Sequence, residues 1–524
     1  MNGAQSLIRT LVAGGVEVCF ANPGTSEMHF VAALDDVPEM RGVLALFEGV
    51  VTGAADGYGR MADKPAATLL HLGSGLGNGL ANLHNTRRAH TPVVNIVGDH
   101  ATYHKQYDAP LDSDIETVAR NVSGWVRTSA RPADIATDAA DAMAAAVRAP
   151  GQVATLILPA DVSWLEAGEP AAPLPPAARH PVPAETVTDI AQVLSRGEPV
   201  ALFVGGSVLR ERGLIAAARV AAVAGTKVLA ETFPARLERG AGLPPVERLG
   251  YLAEFAALQF DGLTHLVIVD AKPPVSFFAY PGKASDLVPD GCQVHVLASG
   301  ADDAVAALEA LADELGAAPD AAVLQPAGRP DRPTGALNAR AVGDALGALL
   351  PLGAIVADEG QTAGLFASGC TAGAPRHDWL TLCGGAIGMG LPLATGAAVA
   401  CPDRKVIALE ADGSAMYTIQ SLWTQAREGL DVTTIILANR AYAILDMELD
   451  RVGAVGTGGA GAAGPRAAAM LDISRPNLDF VSLAAGMGVT ATRAHTAEEF
   501  TEQLEAALGR PGPNLIEAIL PRSL

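Results

Sequence analysis

"LEADGSAMYTIQSLWTQAREGLDVTTIILANRAYAI", residues 409–444, combines two strand-like runs with a helical pattern between them. An apolar run typical of a buried strand ends at Asp412, a helical pattern follows, and a second apolar run ends at Asn439. Because the carboxyl ends of neighbouring parallel strands meet at one edge of a sheet, we expect these two side chains to be adjacent at an edge where ligands bind.

The residue types at this edge indicate a divalent ion. A carboxylate, an amide oxygen and a backbone carbonyl are hard ligands, which suit Mg²⁺ or Ca²⁺. Ser414 and the helix N-terminus behind it offer hydrogen-bond donors to a phosphate that would share the ion. The competing interpretation is that Asp412 only caps the helix that follows it.

Length and charge narrow the function classes. A chain of 524 residues is long enough for two to four domains. Its formal net charge of −21 speaks against nucleic acid and anionic membranes as partners, because phosphate contacts need Lys and Arg. A bound anion would therefore depend on helix N-termini or a metal ion.

The cysteines and the most apolar run predict a soluble protein of a reducing compartment. The five cysteines are scattered and lack C-x-x-C spacing, so neither a disulfide framework nor a zinc site is indicated, and a cytoplasmic location fits best. No signal peptide is recognisable at the start of the chain. The uncharged run 383–401 contains five glycines and a proline, which favours a buried loop and helix over a membrane span.

Strand and helix patterns alternate along the chain, which predicts an α/β fold with open, mainly parallel sheets. Two Pro- and Ala-rich stretches, 163–187 and 316–335, have the composition of linkers. We therefore expect three domains: an N-terminal domain over 1–165, a central α/β domain over 186–318 and a C-terminal domain over 335–524. The first and third share the order helix, strand, Gly/Thr turn, then a strand that opens through glycines into a helix.

Several motifs, in one order, resemble the thiamin-diphosphate-dependent 2-oxo acid decarboxylase and carboligase superfamily, especially benzoylformate decarboxylase and acetohydroxyacid synthase. "ADGS" at 411–414 followed by Asn439 is similar to the motif that binds thiamin diphosphate. The other matching segments are "FANPGTSE" (20–27), "LALFEGVVTGAADGYGR" (44–60), "LLHLGSGLGN" (69–78) and "GAIGMGLP" (385–392). The resemblance covers the first and third domains nearly end to end and is weaker between them.

The resemblance implies residue roles around one cofactor. Glu48 matches the glutamate that hydrogen-bonds the aminopyrimidine, and its apolar flanks would keep it partly protonated. Gly385 matches the carbonyl that receives the 4′-amino group, and Ile387 the residue that props the cofactor in its bent shape. The implied Mg²⁺ ligands are Asp412, Asn439 and the carbonyl of Ala441. The other implied cofactor contacts are Gly413, Ser414, Thr362, Asn78 and Tyr442.

The resemblance also implies catalytic residues and an assembly. His71 matches a histidine that handles protons at the reacting carbon, and Thr25 stands where benzoylformate decarboxylase has serine. Because the first and third domains that face one cofactor come from different subunits in this superfamily, a homodimer or homotetramer with shared sites is implied.

Some positions depart from the family pattern. Ala411 replaces the leading glycine of the diphosphate motif, and the second active-site histidine of benzoylformate decarboxylase has no match. The segment 271–283 offers Phe277, Phe278 and Tyr280 there instead, of which Phe278 is our candidate for the substrate pocket. No flavin-binding pattern is apparent in the central domain, which argues against FAD and against a standard acetohydroxyacid synthase.

Further pocket candidates come from two segments. The loop 98–111 holds His104 and Lys105, and the lysine could attract a substrate carboxylate, although a solvated polar loop is an alternative. Ile444 and Leu445 would form the pocket wall behind the metal site, or belong to the core. The Gly/Ala-rich stretch 451–471 has the character of a lid or of a disordered segment.

Together these features predict non-oxidative decarboxylation of a small 2-oxo acid, after which the enamine is protonated or joined to a second carbonyl. An acetolactate-synthase-like carboligase is the alternative within the same chemistry. A catalytically silent homologue is a third possibility, although the presence of Glu48, Asp412 and Asn439 together speaks against it. A nicotinamide oxidoreductase would need a full G-x-G-x-x-G, which "GSGLGN" (73–78) only partly imitates.

Overall fold

The computed structural model describes residues 1–453 and 464–522. Over these residues the chain forms three sheets of six, five and seven strands. All strand pairings within the sheets are parallel except one at the edge of the third sheet. The predicted fold class, open and mainly parallel α/β sheets, is confirmed.

The first sheet has the strand order β2-β1-β3-β4-β6-β5. Its strands are β1 (Val18–Asn22), β2 (Arg41–Leu44), β3 (Ala66–Leu70), β4 (Val93–Asp99), β5 (Trp125–Thr128) and β6 (Val153–Pro159). The helices around it are α1 (Gly3–Ala13), α2 (Met28–Ala33), α3 (Glu48–Ala62), α4 (Leu72–Ala89), α5 (Ile115–Arg120), α6 (Ile135–Val147) and α7 (Ala160–Trp164).

The second sheet has the order β10-β8-β7-β11-β12 and lies between the other two along the chain. Its strands are β7 (Val200–Val204), β8 (Lys227–Ala230), β10 (Glu247–Arg248), β11 (His265–Val269) and β12 (Gln293–Ala298). The helices of this part are α8 (Ala184–Leu194), α9 (Glu211–Ala224), α10 (Ala253–Phe260) and α11 (Ala304–Glu314).

The third sheet has the order β17-β18-β16-β15-β13-β14-β9. Its strands are β9 (Leu237–Arg239), β13 (Ile355–Glu359), β14 (His377–Thr381), β15 (Val406–Ala411), β16 (Val432–Ala438), β17 (Thr490–Ala494) and β18 (Asn514–Ile519). Its helices are α12 (Ala339–Leu349), α13 (Ala367–Cys370), α14 (Gly390–Ala400), α15 (Asp412–Ala415), α16 (Ser421–Glu428), α17 (Ala443–Arg451), α18 (Pro465–Met470), α19 (Phe480–Gly486) and α20 (Ala497–Leu508).

The central part of the chain also contributes to the third sheet. Strand β9 comes from between two strands of the second sheet and pairs antiparallel with β14. The two parts therefore share an edge, which the linker-based division of the chain did not anticipate. The domain limits at 1–165, 186–318 and 335–524 stay a prediction.

Helices α3 and α14 pack against each other between the first and third sheets. A Cβ on Gly57 would collide with the carbonyl of Leu393, and one on Gly396 with the carbonyl of Ala54, so the two backbones touch. This packing explains the uncharged run 383–401, whose helical part is buried against α3. Within the described ranges, no helix has the length and apolarity needed to cross a membrane.

A buried ion pair ties the three sheets together. Arg60 and Asp56 on α3 are 2.6 Å apart with side chains almost fully buried. The Arg60 guanidinium also donates to the carbonyl of Thr381 at 2.8 Å and to that of Ala235 at 3.0 Å. A buried charge is tolerated when it is paired and its donors are satisfied, as they are here.

Candidate active site

The two strand tips singled out in the sequence are neighbours. Strands β15 and β16 pair in parallel, with Ala411 opposite Leu437. Asp412 begins α15 directly after β15, and Asn439 follows β16. Both side chains are buried, so the third sheet places a carboxylate and an amide side by side at one edge, as expected.

The Asp412 carboxylate has backbone partners and no counter-ion within the described residues. It accepts hydrogen bonds from the N–H of Gly413 at 2.9 Å and from that of Arg440 at 2.6 Å. Burial raises the pKa of Asp412 to about 6, because the charged form is poorly solvated. A cation bound at this edge would remove that penalty, which is the electrostatic signature of an ion site.

Asn439 and Ala441 complete the possible ligand set. The Oδ1 atom of Asn439 accepts from the N–H of Ala441 at 3.1 Å, which holds the side chain and the next peptide together. No group of three or more His, Cys, Asp or Glu side chains in the described ranges is arranged for a metal. An ion at this edge would thus rely on one carboxylate, one amide and backbone carbonyls, a donor set that fits Mg²⁺.

Ser414 differs from its predicted use. Its hydroxyl donates to Oε1 of Glu410 at 2.6 Å and lies 3.1 Å from the carbonyl of Ala411, so the hydroxyl hydrogen is directed into the protein. A phosphate at this edge would therefore meet backbone N–H groups rather than the Ser414 hydroxyl donor. The sequence could not show this contact, because Glu410 reaches Ser414 only through the strand-to-helix turn.

Gly413 and Tyr442 are in contact. A Cβ on Gly413 would collide with the Tyr442 ring, so only glycine fits beneath that ring. The N–H of Tyr442 donates to the carbonyl of Leu471 at 3.0 Å, and the amide is therefore already engaged. Gly413 and Tyr442, both predicted cofactor contacts, therefore pack directly against each other.

A cavity of about 230 Å³ adjoins the strand tips. Two predicted residues, Thr362 and Asn439, lie on its wall. The wall also carries two cationic side chains, Arg340 and Arg522, in a protein whose net charge is strongly negative. The remaining lining residues are Asn338, Ala339, Ala363, Phe366, Ala443, Leu520 and Pro521.

The segment 385–390 forms a turn in front of α14, called here the glycine turn. Gly385 and Gly388 have φ values of +75° and +91°, which favour glycine. Ile387 is half-buried against the core. Helix α4 holds the turn from the first sheet, because Asn82 donates to the carbonyl of Gly388 at 3.2 Å and Asn85 to that of Ala386 at 2.8 Å.

Phe277, rather than Phe278, faces the glycine turn. A Cβ on Gly385 would lie 2.6 Å from the tip of the Phe277 ring. Phe278 packs on the other side of Phe277 and is 55% exposed. Phe233 and Tyr251 also contact the Phe277 ring, with centroids 5.7 and 5.4 Å away. Phe278 stays a prediction for the substrate pocket, and the structure adds Phe277, which is 41% exposed, as the ring next to Gly385.

Glu48 and Asn78 are brought together on the first sheet. Glu48 is the first residue of α3 and is buried, and its Oε2 atom accepts from the Asn78 amide at 3.0 Å. Gly75 lies below, where a Cβ would stand 3.2 Å from Oε1. The apolar surroundings expected from the flanking sequence are present.

His71 has a partner that sequence reasoning missed. Its Nδ1 atom is 2.8 Å from Oε2 of Glu27, a fully buried side chain. Gly24 packs against the imidazole face so closely that a Cβ would collide with it, and the neighbouring Thr25 is exposed. Burial raises the pKa of Glu27 above its ordinary value. The signal available in the sequence was an acid closing the motif "FANPGTSE" (20–27).

Lys105 is paired with two acidic side chains of its own loop. Its ammonium group contacts Asp99 at 3.0 Å and Asp112 at 2.7 Å. His104 is exposed, with its ring packed between those of His100 and Tyr107. These contacts are compatible with a solvated polar loop, and the pocket roles of His104 and Lys105 stay predictions.

The last pocket candidates lie on α17. Ile444 is half-buried and Leu445 is 46% exposed. Of the predicted lid at 451–471, residues 454–463 lie outside the described residues, and the rest includes the short helix α18.

Comparison with known proteins assigns the family. The family model described as thiamine pyrophosphate enzyme, N-terminal TPP binding domain, matches residues 1–119, and the C-terminal TPP binding domain of the same enzymes matches residues 358–518. The chain belongs to the thiamine pyrophosphate enzyme family. These two matches contain the first-sheet motifs and the strand tips, so the resemblance noted in the sequence is confirmed.

Individual thiamine pyrophosphate enzymes are similar over the whole chain. A Mycobacterium tuberculosis protein with the provisional name acetolactate synthase large subunit IlvX is 60% identical over 524 residues, covering 99% of each chain. Benzoylformate decarboxylase from Pseudomonas aeruginosa is 30% identical over 96% of each chain. The solved structure of the thiamine diphosphate-dependent 4-hydroxybenzoylformate decarboxylase of Rhodococcus jostii RHA1 matches with a TM-score of 0.86 at 25% identity, over 99% of each chain.

Proposed function

We propose that this thiamine pyrophosphate enzyme catalyses the non-oxidative decarboxylation of a 2-oxo acid, followed by protonation of the product carbon or its transfer to a second carbonyl. The observation that carries the proposal is the pairing at the third-sheet edge of a buried, uncompensated Asp412 with Asn439. A divalent ion would satisfy the buried charge of Asp412, and a diphosphate would share that ion.

The residues that would hold the cofactor fall into two groups. Asp412, Asn439 and the Ala441 carbonyl would ligate Mg²⁺, and the backbone at Gly413 with the Thr362 hydroxyl would contact the diphosphate. Gly385 and Ile387 would hold the pyrimidine and thiazolium end. Thiamin diphosphate, when bound, supplies the electron sink that accepts the electron pair left by departing carbon dioxide.

Glu48 would hold the proton at the pyrimidine ring. Its carboxyl is buried and oriented by the Asn78 amide, and it forms no ion pair with a described residue. A carboxyl held in this way can exchange a proton with a ring nitrogen of the cofactor.

His71 would move the proton at the reacting carbon. With Nδ1 engaged by Glu27, the Nε2 atom remains for the substrate, and Glu27 fixes the ring's orientation. Thr25, which follows Gly24 in the chain and is exposed, would offer a hydroxyl to the same reacting group.

The substrate side chain would lie against the Phe277 ring. Phe233, Tyr251, Phe277 and Phe278 form an aromatic cluster beside Gly385 in a chain with only 4% aromatic residues. This apolar wall suits an aliphatic or aromatic 2-oxo acid. Poor solvation of the substrate carboxylate there would favour the loss of carbon dioxide.

A second copy of the chain would complete the site. Large apolar side chains border both halves: Leu46 precedes Glu48, Tyr417 follows Asp412, and Leu365 follows Thr362, with exposed fractions of 50, 51 and 65%. Covering such residues favours association. We therefore propose a homodimer or homotetramer that works in the cytoplasm, where the five unpaired cysteines stay reduced.

An acetolactate-synthase-like transfer is the second candidate, favoured by the name of the 60% identical relative. One experiment distinguishes the two outcomes. Protein loaded with thiamin diphosphate and Mg²⁺ is incubated with a panel of 2-oxo acids, with and without acceptor aldehydes or a second 2-oxo acid. Carbon dioxide and products are measured by mass. Aldehyde alone indicates a decarboxylase, a 2-hydroxy ketone or acetolactate-type acid indicates transfer, and no carbon dioxide from any substrate contradicts both.

A further inference from the structure

Two buried carboxyl groups have no role in the site described above. Glu359 ends β13, and Glu410 lies opposite it in β15 in the parallel pairing of these strands. Their side chains are 1% and 0% exposed. Neither forms an ion pair with a described residue, so their charges must be handled by hydrogen bonds.

Glu359 binds the backbone of the glycine turn. Its Oε1 atom accepts from the N–H of Gly388 at 2.7 Å, and its Oε2 atom accepts from the N–H of Gly390 at 2.5 Å. The first N–H groups of a helix lack intrahelical partners, and α14 begins at Gly390 without an acidic residue in its first turn. The carboxylate of a neighbouring strand therefore takes the place of a local helix cap.

Glu410 supports Glu359 from below. Its Oε1 atom accepts from the Ser414 hydroxyl at 2.6 Å, and its Oε2 atom is buried without a hydrogen-bond partner among the described residues. Both carboxyl groups lie against Gly390, so Glu410 occupies space into which the Glu359 carboxylate could otherwise move.

Gly390 packs tightly against the side chains of both Glu359 and Glu410. A Cβ on Gly390 would collide with Oε2 of Glu410 and come within 2.9 Å of the Glu359 Cβ. The two carboxyls are thus pressed against the start of α14, and a shift of Glu359 would move the amides that it holds.

We propose that Glu359 is a positioning residue that sets the conformation of the glycine turn, and thereby the direction of the Gly385 carbonyl and the Ile387 side chain toward the cofactor. Glu410, which lies against the same glycine, limits how far the Glu359 carboxylate can shift. This inference rests on the proposed function, because Gly385 and Ile387 matter only if they hold thiamin diphosphate.

The test compares Glu359→Gln with Glu410→Gln. A glutamine at 410 has nearly the same size and still accepts a hydrogen bond from Ser414, so cofactor affinity should stay within about 3-fold of the native protein. A glutamine at 359 has one acceptor for two N–H groups and turns a donor toward one of them. Its affinity for thiamin diphosphate with Mg²⁺, measured by calorimetry, should fall roughly 10- to 100-fold.

A second readout separates positioning from loss of structure. Deuterium exchange at C2 of the bound thiazolium, followed by NMR, should slow in Glu359→Gln at saturating cofactor and stay unchanged in Glu410→Gln. A purely structural role for Glu359 would lower the melting temperature and leave the exchange rate of the loaded protein alone. Equal cofactor affinity and exchange in Glu359→Gln and the native protein overturn the proposal, as does an equal loss in the two variants.

The native protein provides a test that survives misfolding of a variant. Amide exchange of peptide 385–392 without cofactor should show two slow N–H groups, those of Gly388 and Gly390. Exchange of both at the rate of an unprotected peptide overturns the proposal. If the native protein bound no thiamin diphosphate, the proposed function would fail, while the amide result would still judge the contact between Glu359 and the turn.

Discussion

Glu27 and His71 form a hydrogen-bonded pair in which the carboxyl is fully buried and the imidazole reaches the surface. The Nδ1 to Oε2 distance is 2.8 Å, and the side chains are 0% and 23% exposed. The same Oε2 atom accepts from the N–H of Gly24 at 2.7 Å, so the carboxyl is anchored on two sides. Glu27 therefore controls which ring nitrogen of His71 remains for a substrate.

Glu27→Gln tests this control. Glutamine can still accept from His71 but carries no charge to stabilise the imidazolium, so turnover should fall roughly 10- to 100-fold. Cofactor affinity should not change, because Glu27 lies on the first sheet away from the strand tips. The control is Glu17→Gln, which breaks an exposed ion pair with Lys64. Full turnover in Glu27→Gln would contradict a positioning role.

Glu48→Gln should abolish most turnover. The variant keeps an acceptor for the Asn78 amide, so the fold should persist, but the amide cannot exchange a proton. We expect a loss of roughly 10²- to 10⁴-fold in turnover with little change in melting temperature. Steady-state kinetics measure the loss of turnover, and circular dichroism measures the melting temperature. Near-native turnover in Glu48→Gln would contradict the proposed proton transfer.

Asp412→Asn should weaken Mg²⁺-dependent cofactor binding. Burial raises the pKa of Asp412 to about 6, and the ion needs the deprotonated form. In the native protein, Mg²⁺-supported binding of thiamin diphosphate should therefore decline as the pH falls through about 6. In Asp412→Asn the weaker residual binding should lack this step. Calorimetric titrations at pH 8 and pH 5.5 make the comparison, and equal pH dependence in both proteins would count against the metal assignment.

Gly385→Ala should disrupt the contact with Phe277. The new Cβ would lie 2.6 Å from the ring, and the φ of +75° is unfavourable for alanine. Gly429→Ala is the matched control, because its φ is +61° and nothing lies within 4 Å of the new Cβ. Both variants should lose about 1 kcal/mol of stability from backbone strain. Only Gly385→Ala should also bind the cofactor more weakly. An equal loss of cofactor affinity in both variants would refute a role for the contact between Gly385 and Phe277.

His377 should make the fold acid-sensitive. Burial lowers the pKa of His377 to about 4, and the nearby Arg239 adds to the shift. The folded state then binds protons less readily than the unfolded chain. The contribution of neutral His377 to the free energy of unfolding is complete above about pH 6.5. As the pH falls from there through 4, up to about 3 kcal/mol of that free energy is lost.

His377→Asn removes this titration and keeps a donor for the Pro375 carbonyl, which Nδ1 contacts at 2.8 Å. Between pH 7.5 and pH 5, the urea midpoint of the native protein should fall further than that of the variant. An equal fall of the urea midpoint in the native protein and in His377→Asn would show that His377 does not titrate in this range.

Much of the site was predictable because its residues belong to short local motifs. Asp412 and Asn439 end apolar runs in one continuous stretch, and the parallel pairing of two successive strands makes their tips neighbours. Glu48 was singled out by the resemblance to the thiamin-diphosphate enzymes, and its apolar flanks fit its burial. The inference about the two strand tips needed only periodicity and the rule that ligands bind at the carboxyl edge of such sheets.

Contacts across long sequence distances or in irregular chain could not be predicted. No periodicity tells which of Phe277 and Phe278 contacts Gly385, because both lie in the irregular chain between β11 and β12. The pairing of Lys105 with Asp99 and Asp112 depends on the path of a loop. Glu359 went unnoticed because the amides that it binds lie 29 and 31 positions away.

The amino-acid sequence alone determined the α/β class, the two cofactor-type halves and the edge that carries Asp412 and Asn439, because strand and helix periods and strand-end residues are local properties. Tertiary structure alone decided the partners: Glu27 for His71, Glu359 for the glycine turn, Phe277 for Gly385, and β9 as the last strand of the third sheet. The reason is physical, since a hydrogen bond or ring contact depends on distances of a few ångströms that only the packed chain defines.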